Sequence, residues 1–82
     1  MTDEEILRRL AEILENSNLR FWPVDPLHND AQCLALVKKY EISLSFDGLK
    51  WWADSGDLEP AWWGTDSSLN RAVCLAIIEA HK

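Results

Sequence analysis

Apolar positions along this chain recur in two different periods, and the switches between them mark its elements. Ile6, Leu7, Leu10, Ile13 and Leu14 fall on one face of a helix. Thr2-Asp3-Glu4-Glu5 precedes them with the spacing of a capping box, and its carboxylates suit the positive end of a helix dipole. The pattern predicts an amphipathic helix over about residues 3–16, ended by Asn16-Ser17-Asn18. Leu19-Arg20-Phe21-Trp22 alternates like a short strand, which Pro23 and Pro26 confine to an edge or an extended arm. Asn29 is a second N-cap, opening a helix through Cys33, Leu34, Val37 and Tyr40, with Lys38 and Lys39 outward near its C-terminal end.

From Ile42 the period becomes two. Ile42-Ser43-Leu44-Ser45-Phe46, Asp47-Gly48 and Leu49-Lys50-Trp51-Trp52-Ala53 read as a hairpin. With Asp47 and Gly48 as the two loop residues, Phe46 faces Leu49, Leu44 faces Trp51 and Ile42 faces Ala53, while Trp52 lies on the other face opposite Ser43. An acidic loop follows over residues 54–60, then Ala61-Trp62-Trp63 as a third short strand that Gly64 breaks. Thr65-Asp66-Ser67-Ser68 supplies several possible N-caps for a last helix. It carries Leu69, Ala72, Val73, Ala76, Ile77 and Ala80 on one face, and Cys74, Leu75 and Ile78 widen the apolar arc. So wide an arc predicts a helix contacted from two sides.

The order is α–β–α–β–β–β–α, one α+β domain over residues 1–82. It predicts a small α/β/α sandwich with a three- to four-stranded, mainly antiparallel sheet and three helices. The last two helices are expected to cover the Leu44/Trp51 face. The first helix is the natural cover for the Trp52 face; in the competing arrangement all three helices lie on one side and a second copy covers the tryptophans.

Helix-three residues Thr65 and Ala72-Val73-Cys74-Leu75-Ala76-Ile77-Ile78 resemble the terminal-helix pattern of the phage ABA sandwich domain, a family of small phage and prophage proteins. Asn29-Asp30-Ala31 through Leu34, Val37 and Tyr40, and the aromatic strand Leu49-Lys50-Trp51-Trp52-Ala53, are similar to two further stretches of that family. The likeness spans about residues 22–80. The chain departs from the family in lacking the usual proline before the last helix and in its Trp62-Trp63 pair. The resemblance implies an α/β sandwich and a phage or prophage setting, and brings no catalytic residues with it.

Composition narrows the functional classes. A net charge of −6 with scattered basic residues argues against direct nucleic-acid binding. No apolar run is long enough to span a membrane, and the N-terminus lacks the pattern of a signal peptide. A cytoplasmic protein is therefore expected, in the host cytoplasm if phage-encoded. The spacings of His28 with Cys33 and of Cys74 with His81 are not those of zinc ligand pairs, and the two cysteines read as reduced, buried apolar residues. Glycine-rich phosphate loops are absent, and the carboxylates near residues 54–59 sit in a loop poorly suited to fix two groups at a reacting bond. No enzyme activity, metal or cofactor is expected.

What stands out is tryptophan, four of the chain's five falling between residues 42 and 63. Trp52 and Trp63, beside Asp54, Asp57 and Glu59, form the expected protein-binding surface: aromatic anchors with carboxylates that steer a basic partner. The reading is a small non-enzymatic interaction protein whose partner is a host or phage protein. A homodimer buried on the Trp52 face and a ligand-binding module using exposed tryptophan are the alternatives.

Overall fold

A computed structural model of the chain describes residues 1–15, 17, 21, 23–56 and 60–82. Among them are α1 (Asp3–Leu14), α2 (Asp30–Lys39), β1 (Ser43–Phe46), β2 (Trp51–Asp54), β3 (Trp63–Asp66) and α3 (Leu69–Ala80). The three strands form an antiparallel meander in the order β1-β2-β3. This is the small α+β fold that the pattern predicts. The strand expected at residues 19–22 falls, apart from Phe21, outside the described residues.

Local signals set the helix starts. The Thr2 hydroxyl accepts from the Glu5 backbone N–H at 3.2 Å, and Glu5 returns the bond to the Thr2 N–H, completing the capping box of α1. Asn29 accepts from the Gln32 N–H and Ser68 from the Arg71 N–H, so α2 and α3 begin on side-chain caps as well.

The hairpin register differs from expectation by two residues. Phe46 pairs with Trp51, Ser45 with Trp52, Leu44 with Ala53 and Ser43 with Asp54. The loop residues are Gly48 and Leu49, with Gly48 alone at positive φ (98°), the glycine-first order of a type II′ turn. Asp47 is held out of the loop because its carboxylate accepts the N–H groups of Leu49 and Lys50 at 2.8 and 2.9 Å. A shift of two preserves the faces. Leu44, Phe46, Trp51, Ala53, Gly64 and Asp66 lie on one, and Ser43, Ser45, Trp52, Asp54, Trp63 and Thr65 on the other.

Gly64 does not end the third strand; it sits within β3, paired with Ala53. Helix α3 crosses there. A Cβ on Gly64 would meet the Ala76 backbone nitrogen and would lie 2.6 Å from the Ala72 carbonyl oxygen. Glycine in the strand and alanines in the helix thus bring the two backbones together. Ala72, Val73, Cys74, Ala76, Ile77 and Ile78 are all buried, which requires cover on more than one side of α3, leaving Glu79 on the exposed remainder. The sheet takes one side, while α1 and α2 pack on α3 through Ile6, Leu10, Leu14, Cys33 and Leu36. Of the two arrangements this is the competing one, with all three helices on one side of the sheet and the stripe of α1 spent on α3, not on the Trp52 face.

Polar ties fix the docking. Arg71 binds the Asp66 carboxylate at 3.1 Å, the Asp3 carboxylate, and the Met1 carbonyl at 2.8 Å, joining the start of α1 to the β3–α3 junction. Asn70 donates to the carbonyls of Pro26 and Leu27 and to Asp30, joining α3 to the approach of α2.

Gly64→Ala forces backbone, not a flexible side chain, to move. We expect a loss of at least about 2 kcal/mol in urea unfolding. An unchanged midpoint would mean that α3 does not rest on β3 at this residue.

Candidate interaction surfaces

The structure brings together three of the five residues singled out in the sequence. Trp52, Trp63 and Asp54 share the outer face of the sheet, with Asp54 directly opposite Trp63 and Trp52 diagonal to it. The two indoles meet at 5.5 Å between centroids and 40° between planes, within the geometry of a favourable aromatic pair. Trp52 is half-buried, whereas Trp63 is 55% exposed. Asp57 and Glu59 lie outside the described residues.

Each aromatic is held from its own element. The Trp52 Nε1 donates to Asp47 Oδ2 at 2.9 Å, and Lys50 Nζ stands 5.1 Å from the Trp52 ring centroid. Asp47 is therefore engaged at both oxygens, by the indole on one and two backbone N–H groups on the other. These bonds, the indole first, hold its carboxyl down to about 2. Asp54 Oδ1 accepts from the Gly56 N–H at 2.7 Å, closing the turn after β2, where Gly56 takes positive φ. Ser55 continues the ladder beyond β2: its N–H donates to the Trp62 carbonyl and its hydroxyl accepts from the Trp62 N–H. Trp62 is half-buried against the core, so of the Trp62-Trp63 pair only the second faces outward.

A second apolar surface was not foreseen. Leu44, Phe46 and Leu49 were expected beneath helices, and Leu34 within the apolar run of the second helix. They are instead 39, 54, 86 and 53% exposed. The reason is the reach of α3, which lies over β2 and β3 and leaves β1 projecting beyond the helical layer. Phe46 rests on Trp51 at 5.0 Å between centroids. Beside them a groove of about 430 Å³ runs between β1 and α2, lined by Leu44, Leu34, Val37, Cys33 and Leu69. The exposure of Leu34 was legible in the spacing: Cys33, Leu36, Val37 and Tyr40 make the buried stripe, and Leu34 stands one residue off it.

The remaining chemistry-bearing side chains are dispersed. Among the described residues no three His, Cys, Asp or Glu gather in a way that could hold a metal ion. Cys33 and Cys74 are free and buried, and burial pushes the Cys74 thiol up to about 12 and raises Cys33 as well. Neither presents a thiolate near neutral pH. His28 is exposed beside Asp25, and the His81 ring stands edge-on to Tyr40 with Nδ1 2.8 Å from the Ile77 carbonyl. No helix among the described residues is long and apolar enough to cross a membrane.

No protein-family model, curated protein or solved structure matches this chain.

The Asp47–Trp52 lock has a pH signature. A carboxyl depressed in the folded state contributes stability above its ordinary value near 3.8 and loses it as pH falls through about 2. Carboxyl-carbon NMR should show Asp47 titrating near 2, and Trp52→Phe should move it toward the ordinary value. A titration indifferent to that substitution would mean that the indole does not bind the carboxylate.

Proposed function

We propose that this is a non-enzymatic interaction protein that binds a basic protein surface through its outer sheet face, with Trp63 as the anchor. The carrying observation is a tryptophan more than half exposed, in ring contact with a second that is locked in place, on a face no described helix covers. Exposed aromatic anchors held rigidly lose little entropy on binding and supply much of the area that a hot spot desolvates. Charge supports the class of partner. Residues 43–66 hold five carboxylates and one lysine, so −4 of the chain's net −6 falls on the sheet segment. Asp66 is answered by Arg71, leaving Asp47 and Asp54 on or beside the tryptophan face to steer a basic partner.

The dispersal of nucleophiles, the raised thiols and the shallow surfaces support a non-enzymatic role. The resemblance of residues 22–80 to the phage ABA sandwich domain suggests the setting, a phage or prophage protein acting on a host or phage protein in the cytoplasm.

Trp63→Ala removes a side chain that is more than half exposed and its contact with Trp52, so unfolding free energy should fall by no more than about 2 kcal/mol and the variant should stay folded. Immobilised wild type should capture a basic protein from host lysate, and Trp63→Ala should lower its affinity roughly 30-fold, as expected of an anchor. Capture should weaken with added salt and in Asp54→Asn. The same proteins retained by wild type and Trp63→Ala alike would sink this reading.

A further inference from the structure

Among the described residues no element covers the outer edge of the projecting strand β1. Edge strands are commonly blunted by shortness, charge, proline, a bulge or a covering element, and of these β1, four residues long, has only the first. Ser43-Leu44-Ser45-Phe46 carries no charge and no proline, pairs with β2 without a bulge, and is exposed along its whole length. Its alternation also fixes which backbone groups are free. The Asp47 N–H donates to the Lys50 carbonyl across the hairpin, so Asp47, Ser45 and Ser43 form the bonded pairs with β2. The N–H and C=O groups of Leu44 and Phe46 therefore point away from the sheet.

We propose that two copies of this chain join through β1, edge to edge and antiparallel, into a continuous six-stranded sheet. One register satisfies the free groups. With Ser45 opposite Ser45 of the second copy, Leu44 faces Phe46 of that copy and Phe46 faces its Leu44. Both pairs are then bonded pairs, and twofold symmetry makes the contact self-complementary. The register two residues toward Ile42 would require the Ile42 N–H, which is already given to the Val37 carbonyl, and the register two residues the other way would set Leu44 against Gly48, which lies in the turn at positive φ. A register shifted by one would put Leu44 against a serine face.

The side chains agree with the backbone. In this register Phe46 of each copy lies next to Leu44 of the other, at the mouth of the groove between β1 and α2. No carboxylate meets a carboxylate along the seam, because Asp47 faces Ser43 and Glu41 faces Leu49. Taking about 200 Å² for a fully exposed large apolar residue, the exposed fractions of Leu34, Leu44, Phe46 and Leu49 amount to roughly 450 Å² per copy. That is the most these side chains can contribute to the seam, about half of the roughly 800 Å² per partner of a standard complex, so the pairing belongs to the weak, concentration-dependent class. The tryptophan face takes no part in the seam.

The test is the mass of the full chain by light scattering and sedimentation, from about 10 µM to about 1 mM. Wild type should approach twice the 9.4 kDa of one chain. Leu44→Pro deletes an outward N–H while leaving the bonds to β2 in place, and should weaken the dimer at least tenfold. Phe46→Lys, at an exposed side chain, should do the same, and Trp63→Ala should leave the dimer intact. Circular dichroism checks that each variant folds; if Leu44→Pro does not, Phe46→Lys decides. A wild type of one chain's mass at the highest concentration overturns the proposal. So does a dimer that survives Phe46→Lys, or one that dissociates in Trp63→Ala.

Discussion

The distance at which α3 crosses β3 governs the rest of this molecule. At Gly64 the helix backbone occupies the space that any Cβ would need, and Ala72 and Ala76 meet the strand with side chains of one carbon. Close backbone approach gives dense packing without large side chains at the contact, which suits a chain of 82 residues with little volume to spend. It also fixes the position of α3 along the sheet. Ala53, opposite Gly64 in the ladder, is completely buried by the same crossing.

Two consequences follow from making α3 the middle layer. Its outward side is as apolar as its sheet side, so α1 and α2 must both cover it, and their stripes are used there. Among the described residues no helix is then left for the outer face of the sheet. Nor does α3 extend over β1, whose Leu44 and Phe46 face the helical side without a helix above them. A small chain that spends two helices on covering a third leaves apolar strand surface open in two places. The outer face partly shields itself: Trp52 and Trp63 stack, Asp47 satisfies the indole N–H, and Lys50 stands over the ring. Such a cluster contributes about 0.5–1.5 kcal/mol beyond its area, and it holds Trp52 rigid without covering Trp63.

Elements set by local periodicity and capping were legible in the sequence, and placements set by tertiary reach were not. The caps at Thr2 and Asn29, a cap for α3 within residues 65–68 (Ser68 in the structure) and the wide apolar arc of α3 could be read from spacing, because capping and amphipathicity act within a few residues. The hairpin was legible but its register was not. Asp-Gly favours both residues in the loop, yet a single carboxylate can take two backbone N–H groups and move the turn by one residue on each strand. Gly64 was misread for a similar reason. In sequence a glycine after a short strand looks like a break, whereas here it is the contact point of a helix that begins five residues later. For the candidate site, alternation alone put Trp52 and Trp63 on one face once the strands were paired. The exposure of Leu44 and Phe46 depends on where α3 stops, and no local pattern encodes that.

The two open surfaces differ in the physics that would close them. The outer face offers a broad aromatic area with carboxylates beside it, so a partner there would be selected by side chains and charge. The β1 edge offers backbone donors and acceptors in a fixed register, so its partner must present an equally regular strand, and a second β1 does so by symmetry. The surfaces do not compete, since strand pairing leaves both sheet faces where they were. In a twofold pair the two Trp63 side chains would emerge on the same side of one continuous sheet, because antiparallel neighbours share faces. Two weak aromatic anchors on one rigid surface engage a repetitive or two-sited partner far more tightly than either alone, without a new contact to the partner. Self-pairing at the edge would thus strengthen recognition at the face, which a chain of this size cannot obtain from a larger binding surface of its own.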